Sequence, residues 1–212
     1  MKRYVILILA VVVGMTGCRK EPVIDELMGE YMVYTAHDAG ADFGKRATFF
    51  LPDSILLIDR GTEQKYWTDE NARKITQRIV QGLEQKGFVR INDKENADMG
   101  VQTTYIRSVV YFVGVDDPCW WWNYPFYWSP DFWGDWTDWY APYDVYYAYL
   151  AGSFLVELVD LRQDPRASDK LRTMWTAFMG GEVSASNRWN MDRMLRAVDQ
   201  SFAQSPYLIA NP

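Results

Sequence analysis

An α+β fold is predicted for this chain: a two-layer sandwich in which a mostly antiparallel sheet of about four to six strands carries two helices on one face. Three observations predict it. Two amphipathic helical stretches each need a surface to cover, alternating runs supply strands for a sheet, and no internal repeat offers another architecture.

The first extended segment lies around "YMVYTAHD". Another follows at "RATFFLPDSILLI", where Pro52-Asp53 marks a turn. The first helix is "TDENARKITQRIVQGLEQKGF". Thr68 is its expected N-cap, with Asp69 and Glu70 in the first turn, where the helix dipole favours acid. Ala72, Ile75, Ile79 and Leu83 recur at helical spacing and share a face. Gly87 suits the left-handed position past the last turn, and Phe88 folds back as its hydrophobic contact. "NADMGVQTTYIRSVVYFVG" alternates as a long strand, with Met99, Val101, Thr103 and Tyr105 on one face.

"GSFLVELVDL" is the clearest strand: Leu155, Val159 and Leu161 share a face with Glu157, while Phe154, Val156 and Leu158 point the other way. "RTMWTAFMGGEVS" is its partner, closed by Gly180-Gly181. The final helix runs from Asn187 or Asn190 to about Gln204. Met191, Met194, Leu195, Val198 and Phe202 form its apolar stripe, and Pro206 ends it.

The amino terminus reads as an address. Lys2 and Arg3 precede a nearly pure aliphatic run from Val5 to Val13, and Gly14-Met15-Thr16-Gly17 leads into Cys18. A membrane span needs roughly 20 apolar residues, more than this run holds. "GMTGC" resembles the bacterial lipobox, with Met15 where leucine is usual, and marks Cys18 for cleavage and lipidation. Each acyl CH₂ buried contributes about 0.8 kcal/mol, and more than one chain (palmitate among them) gives stable anchoring. Arg19 follows the cysteine rather than aspartate, so outer-membrane attachment is expected, on either face. The expected organisation is therefore a signal peptide over 1–17, a lipidated cysteine and tether over 18–30, and one domain over 31–212.

Removing Lys2 and Arg3 from the 22 basic residues leaves 20 against 28 acidic ones, a mature balance near −8. Such a chain is a poor partner for nucleic acid, whose phosphates need Lys and Arg. With Cys18 lipidated, Cys119 is left without an intramolecular disulfide partner, and its acidic neighbour Asp117 disfavours a reactive thiolate.

An aromatic-rich insertion occupies 116–149. Seven of the ten tryptophans fall in "PCWWWNYPFYWSPDFWGDWTDWYAPYD", and Asp116, Asp117, Asp131, Asp135, Asp138 and Asp144 punctuate it without Lys or Arg. Three readings of the rings compete. They pack on one another and on an open sheet face; they form a ligand platform, in which Trp121, Trp122, Trp128, Trp133 and Trp136 stack on sugar rings while Asp131 and Asp135 accept hydroxyl protons; or they lie at a membrane interface. The aspartates also read as solubilising spacers, as weak calcium ligands, or as the acid pair of a glycoside hydrolase.

His37, the single histidine, is expected to be a solvent-exposed residue at a strand end rather than the base of a triad with Asp38 or Asp42. No G-x-S-x-G elbow accompanies it. One histidine also excludes histidine-rich zinc sites. No catalytic residue, metal or cofactor is expected.

"ADFGKRATFF", "GLEQKGFVRI", "NADMGVQTTY", "GSFLVELVD", "MWTAF" and "RAVDQSFAQSPY" occur in an order that resembles the domain of unknown function 4136 family of bacterial lipoproteins, from about Tyr31 to Tyr207. The resemblance implies a secreted α+β lipoprotein domain and transfers no catalytic residue. The expected protein is a membrane-anchored envelope lipoprotein, a non-enzymatic binding module with a glycan or envelope-protein partner. The alternatives are a carbohydrate-active hydrolase using loop aspartates and a purely structural envelope module.

Overall fold

The computed structural model describes residues 31–59, 66–107, 130–143, 152–164, 168–180 and 187–211, with backbone alone for 130, 131 and 187–190. The elements in order are β1 Met32–His37, β2 Thr48–Phe50, β3 Ile55–Ile58, β4 Tyr66–Trp67, α1 Glu70–Gln85, β5 Val89–Arg90 and β6 Met99–Ile106. A four-residue helical turn, α2 Pro130–Trp133, then leads to β7 Asp138–Tyr140, β8 Ser153–Asp160, β9 Lys170–Gly180 and α3 Asn187–Ala203.

The fold is α+β, but the sheet is larger and less uniform than expected. Among the described residues it has nine strands, in the order β1-β9-β8-β6-β2-β5, with β3 on β6, β4 on β3 and β7 on β9. The long neighbours β1, β9, β8 and β6 are antiparallel, whereas β2 with β5 and β6, β3 with β6, and β7 with β9 are parallel. The physical reason lies in the connections. Parallel neighbours need a long crossover, which α1 supplies between β3 and β6. The extra strands, β4, β5 and β7, are two or three residues long and too short for alternation to show.

Helix α1 starts one residue later than expected. Asp69 is its N-cap, in extended backbone, and its carboxylate accepts from the N–H groups of Asn71 and Ala72, so Thr68 lies outside the helix. At the other end Gly87 adopts φ +92°. Phe88 returns its N–H to Leu83 O at 3.1 Å and buries its ring, as the sequence indicated.

Two apolar clusters lie on opposite faces of the sheet. Ala72, Ile75, Ile79 and Leu83 of α1 and Met194, Val198 and Phe202 of α3 pack with Met99, Val101, Phe154, Val156 and Leu158, the face assigned from alternation. Gly82 lets the helices close up, since a Cβ there would stand 2.3 Å from the Phe202 ring. That ring stacks on Trp175 at 5.7 Å, and Trp175 Nε1 donates to Ser205 Oγ.

A register shift between Leu158 and Val159 gives β9 one extra residue opposite β8. Met174 and Trp175 therefore both join the helix-side cluster.

A charged knot ties β2 to the sheet centre. Arg46 holds Asp160 through two bonds, Nε–Oδ1 at 2.9 Å and Nη2–Oδ2 at 2.8 Å. Asp98 accepts from Ala47 N, Thr48 N and Thr48 Oγ1, and also from Arg162 Nε. No helix among the described residues is long and apolar enough to cross a membrane.

Candidate functional site

The second apolar cluster is built from the aromatic insertion. Leu56, Ile58, Ile106, Leu155, Val159, Leu171 and Phe178 form the sheet side, and Trp133, Trp136 and Trp139 cover them. Those three tryptophans are 5%, 8% and 4% exposed. Described residues 132–143 are thus a cover over the face that the helices leave open.

Its seating is specific. Trp133 lies on Gly100, where an added Cβ would come within 2.5 Å of its ring. Trp133 Nε1 donates to Gln102 Oε1 at 3.1 Å. Phe132 meets Trp133 edge-on at 4.9 Å between centroids, and Phe50 does so at 6.3 Å. Lys94 places Nζ 4.6 Å from the Phe132 ring centre and donates to the Phe132 carbonyl. Gly134, at φ +145°, turns the chain so that Trp136 N reaches Gly134 O at 2.8 Å. Strand β7 then pairs with the start of β9, Asp138 opposite Lys170.

Beneath the cover runs a polar row across three strands. Gln102 is in register with Glu157, and Glu157 with Thr176, all essentially buried. Tyr143 Oη bonds Thr176 Oγ1 at 2.8 Å from above. Gln102 and Thr176 fix the position of the cover through these bonds, because a buried polar atom left unpaired is costly. Glu157 stood out in the sequence as an acid on an apolar strand face. Gln102 and Thr176 carried no such signal, since their partners are over thirty residues away in the chain.

Of the residues expected to bind a ligand, Trp133 and Trp136 spend their rings on the sheet. Asp135 is exposed at the turn. Asp131 has its backbone in α2, with its side chain outside the described residues, and Cys18, Trp121, Trp122, Trp128 and Cys119 lie outside them altogether. Asp138 bonds Lys170 Nζ at 3.0 Å and the N–H of Trp139. Partial burial pulls its pKa upward, but these two donors outweigh it and hold the carboxyl below its usual range. Asp138 is therefore a permanent anion at neutral pH.

His37 corrects the expectation of an exposed residue. It is half-buried and stacks on Tyr207 at 3.6 Å and 21°. Asp38 pairs with Arg172 and Asp42 with Lys45. Among the described residues no group of three or more His, Cys, Asp or Glu stands together as a metal site.

The chain is similar to a solved structure of a protein of the domain of unknown function 4136 family from Bacteroides thetaiotaomicron, at 43% identity and TM-score 0.78, over 86% of this chain and 99% of that one. Two other solved structures are similar over the same 86% share. A PelC dodecamer from Paraburkholderia phytofirmans is 14% identical with TM-score 0.40 and is covered over 99% of its chain. A PDZ domain protein from Parabacteroides distasonis is 15% identical with TM-score 0.37 and is covered over 38%. No curated protein matches the chain. The family model for the domain of unknown function DUF4136 matches residues 33–207, and the chain belongs to that family.

Proposed function

We propose that the chain is an outer-membrane lipoprotein, cleaved after residue 17 and acylated at Cys18, whose domain is a non-enzymatic interaction module rooted at its anchored end. One geometric observation carries this reading. Strand β1 begins opposite Gly180, the end of β9, while Ile106 at the end of β6 pairs with Ser153 at the start of β8. Tyr31, Arg107 and Gly152 therefore lie at one end of the sheet. The tether enters there, and the aromatic insertion leaves and rejoins there. Tyr31 lies thirteen positions along the chain from Cys18, so the tether spans at most about 45 Å. The roots of the insertion thus stay near whatever surface holds the lipid.

The buried half of the insertion supports a division of labour. Trp133, Trp136 and Trp139 serve the fold, so a partner platform falls to Trp121, Trp122 and Trp128. A glycan or an envelope protein is the partner class that flat rings and carboxylates suit. The permanent anion at Asp138 argues against its use as the acid of a glycosidase, which needs a raised pKa.

Binding of the full chain to a panel of envelope glycans, with and without the triple change Trp121→Ala, Trp122→Ala, Trp128→Ala, tests this reading. The expected result is retention by at least one glycan, lost in the triple variant, with no cleaved product. Cleavage that disappears in Asp131→Ala, Asp135→Ala or Asp138→Ala would make it a hydrolase. No retention of any glycan or envelope protein would leave a structural module.

A further inference from the structure

On the side of the sheet far from β1, the edge breaks between β2 and β3, and a recess of about 480 Å³ opens beside the start of α1. Its walls include Asp53, Ser54, Thr68, Arg73, Gln77 and Arg90. The size lies within the range of small-molecule sites. Two guanidinium groups share this recess in a chain of net charge −6.

Arg90 enters from β5. Its Nη2 donates to Leu51 O at 3.0 Å and to Asp53 Oδ1 at 2.8 Å, which fixes the side chain, while its Nε is buried and makes no hydrogen bond. Arg73 sits in the first turns of α1 and spends one N–H on Thr68 O at 3.3 Å. Thr76 stiffens that turn, its hydroxyl donating to Arg73 O. Ser54, Thr68 and Gln77 add neutral donors around the same space.

The acids nearby are Asp53, on Arg90; Asp69, whose carboxyl is committed to capping α1; and Glu70, which pairs with Lys74 and also lies within electrostatic reach of Arg73. The Asp53 side chain is 94% exposed, so an incoming anion competes with a solvated partner.

We propose that this recess binds a small oxyanion, a carboxylate or a phosphate ester, held by Arg73 and Arg90 with hydroxyl and amide support from Ser54, Thr68 and Gln77. A guanidinium fork matches both anions in geometry and charge, and a site with one arginine already fixed loses less freedom on binding. None of the described residues of the aromatic insertion lines this site, and the proposal stands whether or not the interaction module is confirmed.

The test is calorimetric titration of the full chain in detergent at low salt, with inorganic phosphate and with acetate as separate probes. Saturable single-site binding, on the order of millimolar for so small a probe, is expected for at least one. Phosphate alone assigns a phosphate ester, acetate alone a carboxylate, and both an oxyanion site of either kind. Arg73→Gln removes an exposed group with one long bond and is expected to leave the fold intact, which circular dichroism checks. It should weaken binding by about tenfold or more. No saturable binding of either probe, or binding unchanged in Arg73→Gln, would overturn the proposal.

Discussion

Single residues carry the close approaches of this fold, and two of them make predictions that run against general tendencies. Exchanging glycine for alanine inside a helix ordinarily stabilises by about 0.5–1 kcal/mol. At Gly82 the new methyl would sit 2.3 Å from a Phe202 ring that Trp175 holds in place. Gly82→Ala should therefore destabilise, by about 1–3 kcal/mol in urea unfolding, as overpacked cores do. Nothing in "RIVQGLEQ" distinguishes this glycine from a tolerated one, because the ring that needs the space is on another helix.

Asp98 is the second case. Its burial raises the pKa, but the N–H groups of Ala47 and Thr48, the Thr48 hydroxyl and Arg162 more than offset that and lower it. A carboxyl with a depressed folded pKa stabilises above its unfolded value, about 3.9 for aspartate, and loses that contribution as pH falls through the folded value. Asp98→Asn should cost stability at pH 7, by roughly 1–3 kcal/mol. It should also flatten the acid limb of stability below about pH 4. Urea titrations at pH 7 and pH 3 check both signs.

At the scale of elements, the aromatic cover is the part with the most at stake. Trp133→Ala removes a buried indole and should cost about 3–5 kcal/mol. Trp133→Phe keeps a ring over Gly100 but strands Gln102 Oε1, and should cost about 1–3 kcal/mol. If the two variants unfold like the parent in urea, the cover is not seated as described. Helices α1 and α3 and strand β8 were legible in sequence because periodicity names their buried faces before any partner is known. Strands β4, β5 and β7 were not, since two or three residues hold no period. Strand β9 was half legible: the extra residue at Met174–Trp175 breaks the alternation by which its faces are read. The insertion was legible as aromatic, with packing on the sheet as one of three readings, but the seat of residues 132–143 on Gly100, Gln102 and Thr176 depends on contacts distant in the chain.

At the scale of the whole molecule, the described residues form a sheet covered on both faces, by helices on one and by residues 132–143 on the other. The ends of β6 and β9 and the starts of β1 and β8 gather at one end of the sheet. Under the proposed acylation of Cys18, that end of the sheet would be the one tethered to a membrane. Intact mass spectrometry of the protein recovered from its own membranes is the direct measurement. The expected spectrum begins at Cys18 and carries added acyl mass on that residue. A chain that still begins at Met1, with an unmodified Cys18, would contradict the account.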